Sequence, residues 1–312
     1  MVALMLSPCI AKAEASRKVT DDVGRSVDIP IEPQRIVTNF DPLTGLPLIE
    51  LGLPVVGAEA RVWNPDGSRD VFGLKELFGK SASEVGITPV QNAASMDIEK
   101  VAQLSPDLIV LTEFQQEQLP LLEQLAPVYV FESFTENAFG LDGVRRLARG
   151  LAQDERLVAL DTRYNRRIAT LRASLAGKTP DDPSYVLMPY TDQMWLFTGA
   201  GAVHEVMDDL GFRQPDWVVE PTRASTAMAL SPESLRRLDV DLVFISPNDG
   251  DDTEDKMRRA LDRIAPGWHL VLEDERLIFL NSSTHLSTTF ASAHVVIDYV
   301  AAHYGVPAPP LE

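Results

Sequence analysis

The proline-free run from Phe139 to Lys178 limits what this chain can fold into more than any other stretch. Its apolar residues fall at Leu141, Val144, Ala148 and Leu151, then at Val158, Tyr164, Ile168, Leu171 and Leu175. Steps of three and four are the signature of an amphipathic helix. Gly150 punctuates the run, and Asp154 reads as the N-cap of a second helix. If that helix reaches Leu175 it is about 33 Å long, enough to cross a whole lobe.

Its flanks give the helix its meaning. Before it come the short β-branched runs RIVTNF, PVVGAEA, PDLIVLT and VYVF; after it come SYVLMPY, MWLFTG, VDLVFIS and RLIFLNSS. Strand-like and helix-like segments alternate on both sides, which predicts two Rossmann-like α/β lobes joined by one long rigid helix, with a cleft between them. The expected divisions are a leader at 1–13, a first lobe at 17–138, the connector at 139–178 and a second lobe at 179–312.

An internal match supports two similar lobes. Glu99, Val101, Leu104, Asp107 and Leu108 to Leu111 align without gaps with Glu233, Leu235, Leu238, Asp241 and Leu242 to Ile245. In both copies a Glu opens a helix and an Asp precedes an apolar strand.

A chain of 312 residues at 45% hydrophobic can bury one large core or two. Its formal net charge of -18 disfavours nucleic acid and anionic membrane surfaces as partners. Cys9 is the only cysteine, so neither an intrachain disulfide nor a thiolate metal cluster can form. There is no apolar run of about 18 residues, the length a membrane-spanning helix needs. The opening MVALMLSPCIAKA ends in the small-x-small pattern Ala11-Lys12-Ala13 and reads as a signal peptide lacking its basic start, which implies export. Cleavage there would remove Cys9; lipidation at Cys9 is the rival, though Pro8 sits where a small residue belongs.

Along the chain, Arg17 to Pro33 alternates polar and apolar residues and predicts a hairpin capping the first lobe. A buried strand is expected at Arg35 to Phe40, followed by a helix from Asp41 to about Leu51 with Pro42 in its first turn. Arg61 to Gly86 shows no clear strand period. Helices are expected at Asp97 to Leu104, Gln118 to Leu125, Ala202 to Leu210 and Pro232 to Leu238. Asp249 to Asp255 reads as a solvated loop, and Phe290 to Tyr304 as a closing amphipathic helix.

Motifs for covalent chemistry are missing. Gly199 to His204 follows a strand and opens a helix as a dinucleotide fingerprint would, but His204 stands where the third glycine belongs. His204-Glu205 starts an HExxH pattern that Asp208 breaks. The five histidines are scattered. More telling are aromatics at or just past strand ends (Phe40, Trp63, Phe114, Tyr190, Trp195), with Trp217 in a connecting loop, because ligands of open α/β sheets bind beyond the carboxyl ends of strands. Facing one another across two lobes, they suit a bulky, partly apolar ligand.

In order and spacing, VTDDVGRSVDIPIEPQRIV, MDIEKVAQLSPDLIVL, the connector, MWLFTGAGAVHEVMDDLGF, ALSPESLRRLDVDLVFIS and APGWHLVLEDERLIFL resemble the periplasmic ferric-siderophore and vitamin B12 binding proteins of ABC importers. The likeness runs from Val19 to Tyr304. It implies a monomeric, non-enzymatic periplasmic receptor without a cofactor, whose cargo is a ferric chelate and whose partner is an inner-membrane permease. It also implies that Glu99 and Glu233 dock onto permease arginines. Ligand contacts would come from Phe40, Arg61, Trp63, Phe114 and Gln115 on the first lobe, and from Tyr190, Arg223, Asn248 and the Ser283-Thr284-His285 loop on the second. Members that take anionic catecholate or carboxylate chelates use clustered arginines, whereas only Arg61, Arg69 and Arg223 fit that role here. With the acidic chain, this points to a neutral or cationic hydroxamate complex. The family's common aromatic near Arg223 is missing. Cobalamin, haem or a bare metal ion remain alternative cargoes, and a nucleotide-using α/β enzyme built on Gly199 to His204 is the alternative outside receptors.

Overall fold

The computed structural model describes residues 15–92, 95–133, 140–199, 201–222, 227–248, 250 and 252–311. The leader with Cys9, as well as Arg223 and Asp249, lies outside the described residues.

The strands of the first half are β1 (Ser16–Thr20), β2 (Ser26–Pro30), β3 (Ile36–Thr38), β4 (Val55–Ala58), β5 (Val62–Trp63), β6 (Arg69–Asp70), β7 (Thr88–Pro89), β8 (Gln91–Asn92), β9 (Ser95–Met96), β10 (Leu108–Thr112) and β11 (Val128–Phe131). Its helices are α1 (Leu46–Glu50), α2 (Leu74–Phe78), α3 (Ile98–Gln103) and α4 (Leu119–Leu122). Two helices follow, α5 (Leu141–Gly150) and the 22-residue α6 (Asp154–Leu175). The second half contains β12 (Tyr185–Tyr190), β13 (Met194–Phe197), β14 (Ala227–Leu230), β15 (Leu242–Pro247) and β16 (Leu277–Phe279), with α7 (Gly201–Leu210), α8 (Asp216–Thr222), α9 (Glu254–Ile264), α10 (Ser282–His285) and α11 (Phe290–His303).

Both lobes are built on five-stranded sheets, ordered β11-β10-β3-β4-β7 and β14-β13-β12-β15-β16. In each, the first strand is central, the second and third lie to one side, and the fourth and fifth lie to the other. The first sheet is wholly parallel; in the second, β13 runs antiparallel to both of its neighbours, β12 and β14. β10 and β15, the strands matched within the sequence, are the fourth strand of each sheet. Their faces correspond as well. Leu108 and Val110, like Leu242 and Phe244, enter a core shared by both lobes and the connector. Ile109 and Leu111 enter a separate core of lobe 1, and Val243 and Ile245 one of lobe 2. Strands buried on both faces are expected where helices cover both sides of a parallel sheet.

The break in the connector differs in detail from the sequence expectation. Gly150 is still helical, and a Cβ there would lie 1.9 Å from the Tyr129 hydroxyl oxygen, so this glycine serves close packing. The chain turns at Ala152, which adopts a left-handed conformation (φ 54°). Asp154 is the first helical residue, and Gln153 at the cap position turns its side chain back to the Leu151 carbonyl rather than to the helix; the Asp154 charge instead favours the helix dipole.

Two further expectations are corrected. The stretch 61–86 contains the β5–β6 ribbon and α2. The loop expected at Asp249 to Asp255 ends sooner, because α9 begins at Glu254, with a buried stripe of only Met257, Ala260 and Leu261. The closing helix α11 exposes one stripe at Asp298, Tyr299 and Ala302 and packs its other residues against α6, α7, α10 and β16.

Candidate cleft between the lobes

The site is organised by a buried carboxylate. Asp41 opens a wide helical turn, Asp41–Gly45, that runs into α1. Its side chain accepts the N–H groups of Ala60, Arg61 and Phe72, each at 3.1 Å. Burial first, and the neighbouring Glu59 second, push the Asp41 carboxyl well above the usual carboxylate range. Around this anchor the backbone is strained: Phe40 (φ 54°) and Ala60 (φ 50°) are both left-handed. A bulky residue holds that conformation only where its surroundings enforce it. The result is that Phe40 stacks against Phe114 at 5.4 Å, and the Arg61 guanidinium lies 6.0 Å from the Phe40 ring and 5.3 Å from that of Phe72.

A cavity of about 430 Å³ lies beside this cluster. Arg61–Asn64, Asp70–Phe72, Lys75 and Glu76 wall it from lobe 1, and Gly250 and Ser283 from lobe 2. Its size falls in the ordinary range for small-ligand sites, about 300–1,000 Å³. Trp63 stands at the mouth, 70% exposed.

Of the residues named from the sequence, Arg61 and Trp63 line the cavity, and Phe40 and Phe114 adjoin it through Arg61. Others do not face it. Gln115 is buried, and its side-chain oxygen accepts from the Asn39 amide, which also donates to Thr112 Oγ1 at 2.8 Å. With Asn39 and Thr112 it splices the ends of β3 and β10. Tyr190 is buried and donates to Asp252 at 3.1 Å; burial, then that carboxylate, raise its phenol pKa. Asn248 is exposed beyond β15, its backbone N–H donating to the Tyr190 carbonyl. Thr284 is half-buried and donates to the Asn281 carbonyl at 2.8 Å. His285 is fully buried, with neither ring nitrogen hydrogen-bonded among the described residues, and burial lowers its pKa to about 3. From that loop only Ser283 reaches the cavity.

Phe72, Lys75 and Glu76 are cavity residues that sequence reasoning missed. Arg69 is not free for an anion, because its guanidinium donates to the carbonyls of Glu59, Ala60 and Gln91. The Gly199–His204 turn is not an open phosphate cradle. Gly201 (φ 69°) begins α7 under the α10 backbone, where a Cβ would lie 2.3 Å from the His285 carbonyl oxygen. No cluster of three or more His, Cys, Asp or Glu suited to a metal occurs among the described residues. None of the described helices is long and apolar enough to cross a membrane.

The lobes are sewn together behind the cavity. The Thr288 N–H donates to the Pro42 carbonyl at 3.0 Å. The Glu50 carboxylate accepts the N–H groups of Phe290 and Ala291. A Cβ on Gly73 (φ 77°) would sit 2.6 Å from the Ser283 carbonyl oxygen.

Comparison with known proteins agrees with this geometry. The sequence profile described as periplasmic binding protein matches residues 37–265. A Bacillus subtilis (strain 168) protein described as a probable siderophore-binding lipoprotein, YfiY, is 28% identical over 265 residues, 78% of this chain and 75% of its own length. The Fe(3+)-citrate-binding protein YfmC of the same organism is 24% identical over 245 residues, 77% of this chain and 71% of its own. The solved FhuD protein from S. pseudintermedius superposes with a TM-score of 0.70 at 15% identity, over 95% of this chain and 100% of that one.

Proposed function

Because the chain belongs to the periplasmic binding protein family, which binds solutes rather than converting them, we propose that it captures a ferric siderophore between its lobes for an ABC permease of the inner membrane. The observation that carries this reading is the cavity itself, a chelate-sized space walled by both lobes with Arg61, Trp63 and Phe72 on one side. The relatives described as binding a siderophore and Fe(3+)-citrate point the same way.

A hydroxamate complex fits the cavity's charge best. Its wall combines Arg61 and Lys75 with Asp70 and Glu76, while Arg69 is committed to backbone carbonyls. Such a balanced wall favours a neutral or weakly charged chelate over a trianion. Phe40 and Phe114 extend the aromatic surface, and Arg223 retains the contact role implied by resemblance. Affinity would arise from aromatic contact and a preformed cleft.

Glu99 and Glu233 are the proposed permease contacts. Both are exposed, and each lies in the first turn of the helix preceding the fourth strand of its sheet. The working form would be an exported periplasmic monomer.

The test is to titrate the purified protein with ferric hydroxamate, catecholate and citrate complexes while following tryptophan fluorescence. Saturable quenching at submicromolar hydroxamate complex is expected. Preference for citrate would replace the hydroxamate assignment, and silence with every ferric chelate would overturn the siderophore reading.

A further inference from the structure

We propose that Arg69 is a positioning residue that presents the Trp63 ring to ligand at the mouth of the cavity. The inference rests on the reading of that cavity as the ligand site. The β5–β6 ribbon is only two residue pairs long, Val62 with Asp70 and Trp63 with Arg69. Its tip is closed by the Asn64 N–H donating to the Ser68 carbonyl and the Gly67 N–H donating to the Asn64 carbonyl, both at 2.9 Å. So short a ribbon is marginal on its own and needs an outside anchor. Arg69 supplies it. Nε donates to the Ala60 carbonyl at 2.8 Å, one terminal nitrogen to that of Glu59 at 2.6 Å, and the other to that of Gln91.

That three-pronged anchorage fixes the guanidinium carbon 5.2 Å from the centre of the Trp63 ring. A cation at that distance attracts the face of an indole. Trp63 is the most exposed tryptophan among the described residues, so a partner on the ribbon matters more for it than for a packed ring. Holding the ring beforehand removes part of the entropy that ligand binding would otherwise lose. Lysine cannot substitute, because a point charge lacks the planar fork that reaches three carbonyls at once. Arg69 thus serves affinity without touching the ligand.

A double-mutant cycle with ferrioxamine B and ferric citrate as probes tests this, with denaturation curves confirming that each variant is folded. Arg69→Lys is expected to weaken binding about tenfold when Trp63 is present, and by no more than about twofold in the Trp63→Ala background. An equal loss in both backgrounds would overturn the proposal, because Arg69 would then act independently of the ring. If the unaltered protein binds neither probe, that failure counts against these two cargoes and is separate from the role of Arg69. Arg69 is then judged by time-resolved anisotropy of Trp63, isolated by subtracting the Trp63→Phe signal. Arg69→Lys should add fast local depolarisation, and an unchanged decay would overturn the positioning role.

Discussion

The carboxylate of Glu50 in the first lobe accepts the backbone N–H of Phe290 at 2.8 Å and that of Ala291 at 2.6 Å, so one lobe caps the closing helix of the other. Burial outweighs those amides and the distant Arg163, and raises the Glu50 carboxyl to about 7 from an ordinary value of 4.5. Native Glu50 therefore holds a proton that the unfolded chain has lost between those values. Its contribution to stability is complete below pH 4.5 and is lost as pH rises through about 7. Denaturation midpoints measured across this range should fall less steeply for Glu50→Gln than for the unaltered protein. Glu50→Ala leaves two buried amides unpaired and should cost about 1–3 kcal/mol.

Gly73 and Gly79 flank α2, and both have positive φ, 77° and 68°. Nothing lies within 4 Å of a Cβ at Gly79, whereas one at Gly73 would meet the Ser283 carbonyl at 2.6 Å. Urea denaturation should show Gly79→Ala costing about 1 kcal/mol from backbone strain alone. Gly73→Ala should cost at least about 2 kcal/mol, because the lobes must also separate at that seam.

Trp63→Ala should weaken binding of the preferred ferric chelate by about 1–2 kcal/mol while leaving the denaturation midpoint unchanged, since the ring is mostly in solvent. Arg61→Ala, which removes a cation set against two rings, should have a similar effect on binding. Calorimetry on both variants checks this, and full affinity in both would move the ligand elsewhere.

Glu99→Ala combined with Glu233→Ala should retain stability within about 0.5 kcal/mol, because both side chains are exposed. The double variant should bind ligand normally but fail to support uptake of radiolabelled iron. Normal uptake would remove the docking role.

The sheets were legible because strands buried on two faces are continuous apolar runs, so PVVGAEA, PDLIVLT and VYVF stood out, and they contain Val55–Ala58, Leu108–Thr112 and Val128–Phe131. α9 was not, because charges dominate its opening and three buried residues make too narrow a stripe. Within the cleft, the end-of-strand rule found Trp63, and the family resemblance named Arg61. Lys75 and Glu76, both in α2, enter only through tertiary approach. Gln115 and His285 share the same neighbourhood but turn inward, and no local pattern separates an inward glutamine or histidine from an outward one. Arg69 was visible as a cation, but which carbonyls would claim it was not.

The helix Phe290–His303 lies in the core that both lobes share. Opening that helix strips cover from both halves at once, so the two lobes should lose hydrogen-exchange protection together along this seam, while the separate core of each lobe keeps its own.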